Sequence, residues 1–444
     1  MWNLTKMLTL FVCIGALAIL VYRRRFSLDS IKSLFYITWF YYAFSVPIDL
    51  LLGIEVYTGG RLDRRLDLNL VTARPYITMV VVYYLLCAIC FWVAYNIPPL
   101  PKRDISYKRY RVSLPSVWLV LLISGIMGLL YMSRAGAFSR QTRSLLLDQD
   151  ISFKILSVML LLARALDLIF IVVSDDRRQA TVVMIAGTLL GVIVGDRTWA
   201  LFFPLVLLMR YNVKINRRQL IGIAFVGFLL VVSWKTIYAR ALAFFTTGTP
   251  FYFPESLPYL SLSRIDATSS FRIFATFLKM GNSPYWLGST YVKIPLAITW
   301  PRFLTDDPVL TLSEQYIWSF VPDAAARGAG MGFSALAESW LNFGFLGPIL
   351  LGLTWGLLAR FVDHKRRGLS FFVMAIMTIR LFRSDFASLY KNWVVLLGGS
   401  LILLMLLLRC VALLHRIAAR PKSSCDMQRN CDRPADLRRV VTST

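Results

Sequence analysis

Residues 118–131 read WLVLLISGIMGLLY, a run without a charge. With its apolar flanks it approaches the roughly 20 residues that a helix needs to cross a bilayer core. Residues 393–408, WVVLLGGSLILLMLLL, repeat the pattern, and residues 155–173 do so around Arg164 and Asp167. Membrane β-strands cannot supply such runs, because their segments are short and alternate in polarity. Helices can, because each pairs its own backbone polar groups within lipid. The predicted fold class is therefore all-α, a polytopic integral membrane protein.

The rest of the chain agrees. Of 444 residues, 57% are hydrophobic, 14% aromatic and only 16% charged, whereas soluble domains carry about 25% charged residues. A net charge of +25 raises the question of nucleic acid. The basic residues, however, fall in loops between apolar runs and not along one soluble face, which is the ordinary pattern of cytoplasmic loops that meet anionic lipid. No nucleic-acid partner is expected. The first apolar segment, 4–22, is long for a signal peptide and is followed by Arg23, Arg24 and Arg25 with no small-residue cleavage pattern; it reads as a retained helix. None of the six cysteines falls in a predicted external loop, so no structural disulfide is expected. Cys87 and Cys90 form a CxxC within an apolar run and read as packing residues.

About eleven transmembrane helices are expected, at 4–22, 31–53, 76–97, 114–132, 153–173, 180–195, 198–210, 219–236, 333–361, 369–389 and 392–414. The domain plan is spans one to eight in 1–236, a long loop in 237–332, spans nine to eleven in 333–415 and a disordered basic tail in 416–444. Lys and Arg are richer in the loops that follow spans one, three, five, seven and nine, and in the tail. That side is expected to be cytoplasmic, with a periplasmic N-terminus and a cytoplasmic C-terminus. Spans six and seven are each short and meet at Gly195-Asp196-Arg197. Basic pairs flank both, so the chain is expected to return to the side it left, by two short spans or a re-entrant hairpin.

The long loop breaks the up-and-down pattern. It is rich in aromatic and Pro residues, and structureless loops of that length are usually functional. Two parts look helical: residues 269–280, with Arg272 and Lys279 seven apart on one face, and residues 286–300, an apolar stretch expected to rest in the headgroup region.

Positive charge on the outer side needs a reason. There Arg outnumbers Lys, and Arg makes bidentate, permanently charged contacts with phosphate. The candidates for binding a phosphate or pyrophosphate are Arg240, Arg264, Arg272, Arg302, Arg380 and Arg383. Arg197 stands out at the break between two half-spans, where ligand-binding helices expose their ends. Arg380 and Arg383 are three apart, on one helix face near the outer end of span ten. Glu338 lies in the opening turns of span nine, on one face with Ser334 and Asn342. A carboxylate there needs a partner or a role, and an arginine pair or a general base would each satisfy it. Asp266, two residues after Arg264, is a second candidate base. The adjacent Asp306 and Asp307 are weak evidence for metal, and no metal or other cofactor is expected. The only histidines, His364 and His415, lie on the predicted cytoplasmic side, so outer chemistry falls to Asp, Glu, Tyr and Arg. Arg164, inside span five, is expected to face protein or a cavity.

Taken in order, these pieces resemble the Wzy family of bacterial O-antigen and oligosaccharide repeat-unit polymerases. The matching residues are Gly195-Asp196-Arg197, Leu262-Ser263-Arg264, Ile294-Pro295 through Trp300-Pro301-Arg302, the stretch from Gly332 to Glu338 with Asn342-Phe343-Gly344, and the stretch from Arg380 to Asp385. The resemblance implies a metal-independent glycosyltransferase at the periplasmic face of the bacterial inner membrane. Its substrates would be oligosaccharides linked to undecaprenyl pyrophosphate. It would join repeat units, with Glu338, Asp266 and Arg197 catalytic and the other arginines binding pyrophosphate. Membrane lipid and a Wzz-type chain-length regulator are the partners implied.

Two rivals remain. An O-antigen ligase has a similar layout and the same donor but looks to an external His, which this chain lacks. A polysaccharide flippase or transporter is the other class, and the missing repeats and single large loop stand against it.

Overall fold

The computed structural model describes residues 2–22, 25–26, 30–51, 74–97, 114–135, 151–194, 197–211, 215–216, 269–280, 287–292, 311–320, 332–364, 369–392 (except for some side chains) and 399–418, with a few single positions besides. In chain order the elements are α1 (Trp2–Tyr22), β1 (Arg25–Phe26), α2 (Ile31–Leu51), α3 (Arg74–Asn96), α4 (Leu114–Ala135), α5 (Ile151–Val173), α6 (Arg177–Ile193), α7 (Arg197–Arg210), β2 (Ile215–Asn216), α8 (Ser269–Met280), α9 (Leu312–Phe320), α10 (Ala335–Phe343), α11 (Leu346–His364), α12 (Leu369–Arg380), α13 (Phe386–Asn392) and α14 (Gly399–Ala418). Apart from turns and one two-residue ladder pairing β1 with β2, the described residues are helical. Among them, four helices are long and apolar enough to cross a membrane: Pro75–Asn96 in α3, Val117–Arg134 in α4, Ile155–Val173 in α5, and α11. Shorter apolar stretches, Thr5–Gly15 and Ser370–Arg380, lie in α1 and α12. The predicted eighth span lies outside the described residues, except for two single positions.

The centre of the bundle is the pair α3 and α11. Gly352 and Gly356 sit one turn apart on α11, against the α3 backbone. A Cβ at Gly352 would lie 2.4 Å from the Cys87 carbonyl oxygen, and one at Gly356 would lie 2.6 Å from that of Phe91. Residues 87 and 91 rise together with 352 and 356, so the helices run parallel. Lipid tails give no hydrophobic drive for helices to associate, and close backbone approach at small residues supplies packing in its place. Cys87 and Cys90 form the wall facing Gly352, the packing use expected of them.

Neighbouring helices alternate around this pair. Phe35 of α2 stacks on Phe91 at 3.7 Å between ring centres, and the Trp39 indole N–H donates to the Tyr84 carbonyl oxygen at 2.8 Å. Thus α2 and α3 are antiparallel. The Trp355 indole N–H donates to the Thr378 hydroxyl at 3.1 Å, which fixes α11 and α12 as an antiparallel hairpin. At one end Asp363 gathers three helix ends. Its carboxylate accepts the Ile31 N–H at the start of α2, at 2.9 Å, and the Tyr95 hydroxyl near the end of α3, also at 2.9 Å. An acidic side chain at a helix N-terminus satisfies an orphan N–H and opposes the dipole. The start of α1 lies at the opposite end, where the Thr5 hydroxyl hydrogen-bonds that of Thr78 near the start of α3.

The second group is α4 to α7. Ser124 of α4 donates to Asp167 of α5 at 2.8 Å, and Tyr131 packs on Phe153, ring centres 4.9 Å apart. The break after α6 is a true return. A Cβ at Gly187 would touch the Phe203 ring of α7 at 2.9 Å. The Arg210 Nε at the end of α7 donates to the Val172 carbonyl oxygen at 2.7 Å, beside the start of α6. Arg177 and Arg210 both lie over the Tyr211 ring. At the other end Val194 packs with Tyr131, Phe153 and Leu160. The hairpin therefore reaches the far ends of α4 and α5, and its two feet share one end of the molecule. The β1–β2 ladder, which joins the chain after α1 to the chain after α7, lies at that same end.

Three expectations need correction. Span nine is not one helix: Gly344, at φ +57, ends α10, and α11 starts two residues later. A residue beyond a helix C-terminus that adopts positive φ favours Gly, because it lacks a Cβ. Span ten is also broken, by a turn at 381–385 between α12 and α13. The 269–280 stretch is a helix as predicted, but it belongs to the core and not to a surface loop: Phe271, Ile273, Phe274 and Ala275 are buried. Arg272 is buried in α8 while Lys279 is exposed, so the two do not share one environment. Of the expected interfacial helix at 286–300, residues 293–300 lie outside the described residues; 287–288 form a turn and 289–292 are helical.

Candidate functional site

The turn that follows α12 lies about midway along α2 and α3, beside Tyr42 and Tyr84, and gathers most of the described site candidates. The N-termini of α8 and α10 are tied to the turn that follows α12. The Ser270 hydroxyl donates to the Phe382 carbonyl oxygen at 2.7 Å, and the Ala335 N–H donates to the Leu381 carbonyl oxygen at 3.1 Å. Phe382 packs its ring against Phe35, Tyr42 and Tyr84 from α2 and α3. The turn is thus seated on the core from below and clamped from two sides.

Arg380 is the last residue of α12, and Arg383 lies in the turn. They are not one helix face, as the spacing suggests, yet they remain neighbours in space: both guanidinium groups act electrostatically on the Tyr42 hydroxyl. Both are half-buried. Arg272 comes from α8, one turn after Ser270, and is buried.

Two carboxylates complete the arrangement, and both are 1% exposed. Glu338 sits four residues after Ser334. The Ser334 hydroxyl is the N-cap of α10, accepting from the Ala337 N–H at 3.0 Å; it serves the helix end. One Glu338 oxygen accepts the Thr290 hydroxyl at 2.9 Å, and the other accepts the Phe386 N–H at the start of α13. The arginine partner that the sequence allows for Glu338 is replaced by these two donors. Asp385 caps α13, accepting from the Ser388 N–H at 3.1 Å, and its second oxygen accepts from the Ser313 N–H near the start of α9 at 3.3 Å. α10 lies outside the four long apolar helices. There, burial first and the Asp385 charge second push the Glu338 carboxyl up to about 8, against the opposing hydrogen bonds from Phe386 and Thr290.

Asn342, one turn beyond Glu338, continues the network as its spacing predicts. Its amide N–H₂ donates to the Thr290 hydroxyl at 2.7 Å and to the Glu338 carbonyl oxygen at 2.9 Å. Its backbone carbonyl oxygen accepts the Leu287 N–H at 2.9 Å. The turn at 287–292 is therefore held to α10 by side chain and backbone alike. Leu287 has φ +47 and Gly288 φ +83. A branched residue in that region is a strained exception. Tyr291 lies beside Phe343 and Phe386. Burial, and after it the Glu338 charge, push the Tyr291 hydroxyl up, while a hydrogen bond to Asn342 works the other way.

The chain matches no family model, no curated protein and no solved structure.

The structure thus brings Arg380 and Arg383 together beside Tyr42, ties Glu338 to the start of the helix that follows their turn, and ties the helix bearing Arg272 to the same turn. Arg240, Arg264, Asp266 and Arg302 lie outside the described residues, as do Asp306 and Asp307. Arg197 begins α7, on the hairpin tip near Val194, and its side chain is not among those described. No group of three or more metal-ligating side chains occurs among the described residues. Two partners in the network carry no hydropathy signal. Asp385 is a helix cap, legible as an Asp before an apolar helical run. Thr290 has no such signal, because the turn that delivers it depends on Leu287 at positive φ.

A second polar group lies between α4, α5 and α7. Arg164 and Asp167, both buried, lie one turn apart on α5. Arg164 is over the Trp199 ring, 5.7 Å from its centre. As expected for Arg164, these charges face protein, not lipid.

Proposed function

We propose that the protein is a bacterial polysaccharide polymerase of the O-antigen type. In this reading it is a membrane glycosyltransferase that joins oligosaccharide repeat units linked to undecaprenyl pyrophosphate. The observation that carries this reading is the pairing of Arg380 and Arg383 beside Tyr42 on a clamped turn set against the middle of α2 and α3, with Arg272 on the adjoining helix. Fixed guanidinium groups suit a leaving pyrophosphate, whose negative charge grows as its bond to the sugar breaks.

The reaction balances simply. A hydroxyl at the far end of an incoming lipid-linked unit attacks the anomeric carbon of the growing glycan. The bond from that carbon to the pyrophosphate oxygen breaks, and polyprenyl pyrophosphate leaves with the electron pair. The hydroxyl proton passes to a carboxylate or to water. Arg272, Arg380 and Arg383 bind the pyrophosphate, together with Arg240, Arg264 and Arg302, and Arg197 contributes charge from the hairpin tip. No metal or cofactor is used. Asp266 is the preferred base. Glu338 is a positioning residue in this scheme, because both of its oxygens already hold neighbouring segments. The site faces the periplasm of the inner membrane, the C-terminus faces the cytoplasm, and a Wzz-type regulator sets chain length.

Deleting the gene and separating the cell's lipid A-linked and lipid-linked glycans tests this. A polymerase deletion leaves lipid A core capped with single repeats. Full-length ladders from a strain carrying both Arg380→Ala and Arg383→Ala would remove these arginines from the mechanism. Uncapped core beside long lipid-linked polymer would make the protein a ligase. Accumulated unflipped single units would make it a transporter.

A further inference from the structure

The polar network around the 287–292 turn is one-sided in chemistry. It presents the Asn342 amide oxygen and the hydroxyls of Thr290 and Tyr291, with the Glu338 carboxyl already holding Thr290 and the Phe386 N–H. Asn342 is fully buried, and its amide oxygen has no hydrogen-bond donor among the described residues. A buried acceptor left unmatched costs free energy, and native structures rarely keep one without a reason. Beside it the rings of Tyr291 and Phe343 lie nearly parallel, 19° apart, and Phe386 stands against Tyr291 at 80°. The turn that covers these groups is the strained one. Leu287 holds φ +47 with its side chain 82% exposed, so no packing of that side chain enforces the conformation. What holds it is the Leu287 N–H on the Asn342 carbonyl oxygen and the Thr290 hydroxyl on Glu338.

We propose that Asn342, Thr290 and Tyr291 form a subsite for a neutral, hydroxyl-bearing saturated ring, closed in this structure by the 287–292 turn. Acceptor oxygens at the floor call for a ligand that donates hydrogen bonds. The Asp385 carboxylate, close enough to act on Glu338, disfavours an anion there. The aromatic walls take the apolar face of a ring. Together these features describe a sugar. Arg380 and Arg383 instead act on Tyr42 of α2, so neutral and anionic parts of one substrate separate between the two halves. The inference deepens the polymerase reading by assigning the attacking glycan end to this half. The subsite does not require that reading to be correct, since any neutral sugar ligand would use it.

The test is binding, not turnover. The full-length protein in lipid nanodiscs is mixed with methyl glycosides of common hexoses and N-acetylhexosamines, and saturation transfer to each is recorded by NMR, with choline as a cationic control. At least one glycoside is expected to receive transfer. Asn342→Leu, similar in size but without the amide, is expected to weaken it by about fivefold or more, the scale of one lost hydrogen bond. Thr290→Val is expected to weaken it too, and Asn342→Asp, which keeps an acceptor, to retain most of it. Should Asn342→Leu not fold, Thr290→Val carries the comparison. No transfer to any glycoside, equal transfer in the folded Leu or Val variant, or transfer to choline alone overturns the subsite. Sugar binding that is lost as expected, in a protein that fails to polymerise lipid-linked units, would instead sink the polymerase reading alone.

Discussion

Glu338 shows how one side chain can tie segments far apart in sequence. Replacing it by Ala leaves the Thr290 hydroxyl and the Phe386 N–H without their acceptor, at about 1–3 kcal/mol for each buried group. Glu338→Ala is expected to lower the melting temperature in detergent clearly, while Glu338→Gln, which keeps one acceptor oxygen and can donate from its amide, loses less. The same residue sets a pH dependence. Its folded value is near 8, above the roughly 4.3 of an unfolded Glu. The folded state therefore binds the proton more tightly. Stability from this group is fully present below about pH 4 and is lost as pH rises through about 8. Thermal melts between pH 5 and pH 9 are expected to fall with rising pH in the wild type and to flatten in Glu338→Gln. An unchanged slope would mean that Glu338 is not the group responsible. Much at this scale was readable beforehand. A Glu four residues from a Ser and four from an Asn, opening an apolar stretch, announces a buried carboxylate with local partners. Its real partners, Thr290 and the Phe386 N–H, come from 48 residues away in either direction, and no local pattern encodes them.

Among the elements, the parallel contact of α3 with α11 fixes the geometry of the site above it. Gly352→Leu would force side-chain atoms into the Cys87 carbonyl, against backbone that cannot yield. Overpacking of this kind costs about 1–3 kcal/mol, and here it also parts the two central helices. The variant is expected to elute broadly or aggregate on size-exclusion chromatography, whereas Gly398→Leu, where a Cβ would meet nothing within 4 Å, keeps the wild-type profile. Hydropathy located most helices well, because spans that cross lipid must be long and apolar. The predicted 153–173 and 198–210 appear as Ile151–Val173 and Arg197–Arg210. It failed where a helix is interrupted inside an apolar stretch. Gly344 divides α10 from α11, and the 381–385 turn divides α12 from α13, while average hydropathy runs smoothly across both. It also placed α8 at the surface, because a 12-residue helix bearing Arg272 and Lys279 looks amphipathic until Arg272 finds the interior.

For the whole molecule, relative sidedness follows from contacts that hydropathy cannot give. The hairpin of α6 and α7 returns, so Arg178 at its foot and Ser133 near the end of α4 belong to opposite ends; both are exposed. In a background without the native cysteines, Ser133→Cys and Leu287→Cys are expected to react with a membrane-impermeant thiol reagent added from the same side. Arg178→Cys is expected to react only when the opposite face is opened. Labelling of Arg178→Cys and Ser133→Cys from one side would contradict the return at 195–197. In the proposed reading, the charge bias of the loops assigns the end bearing Ser133 and Leu287 to the periplasm.

The pairing of α3 with α11 also has a dimension in time. Cys87 and Gly352 stand roughly 265 residues apart in the chain. At 5–20 residues per second of synthesis, α3 waits on the order of ten seconds to a minute before its partner exists. For that interval the groove meant for two glycines faces lipid or whatever else passes. The core of the bundle is assembled last, and until α11 emerges the newborn chain is an unfinished membrane protein whose central surface stays open to the wrong partner.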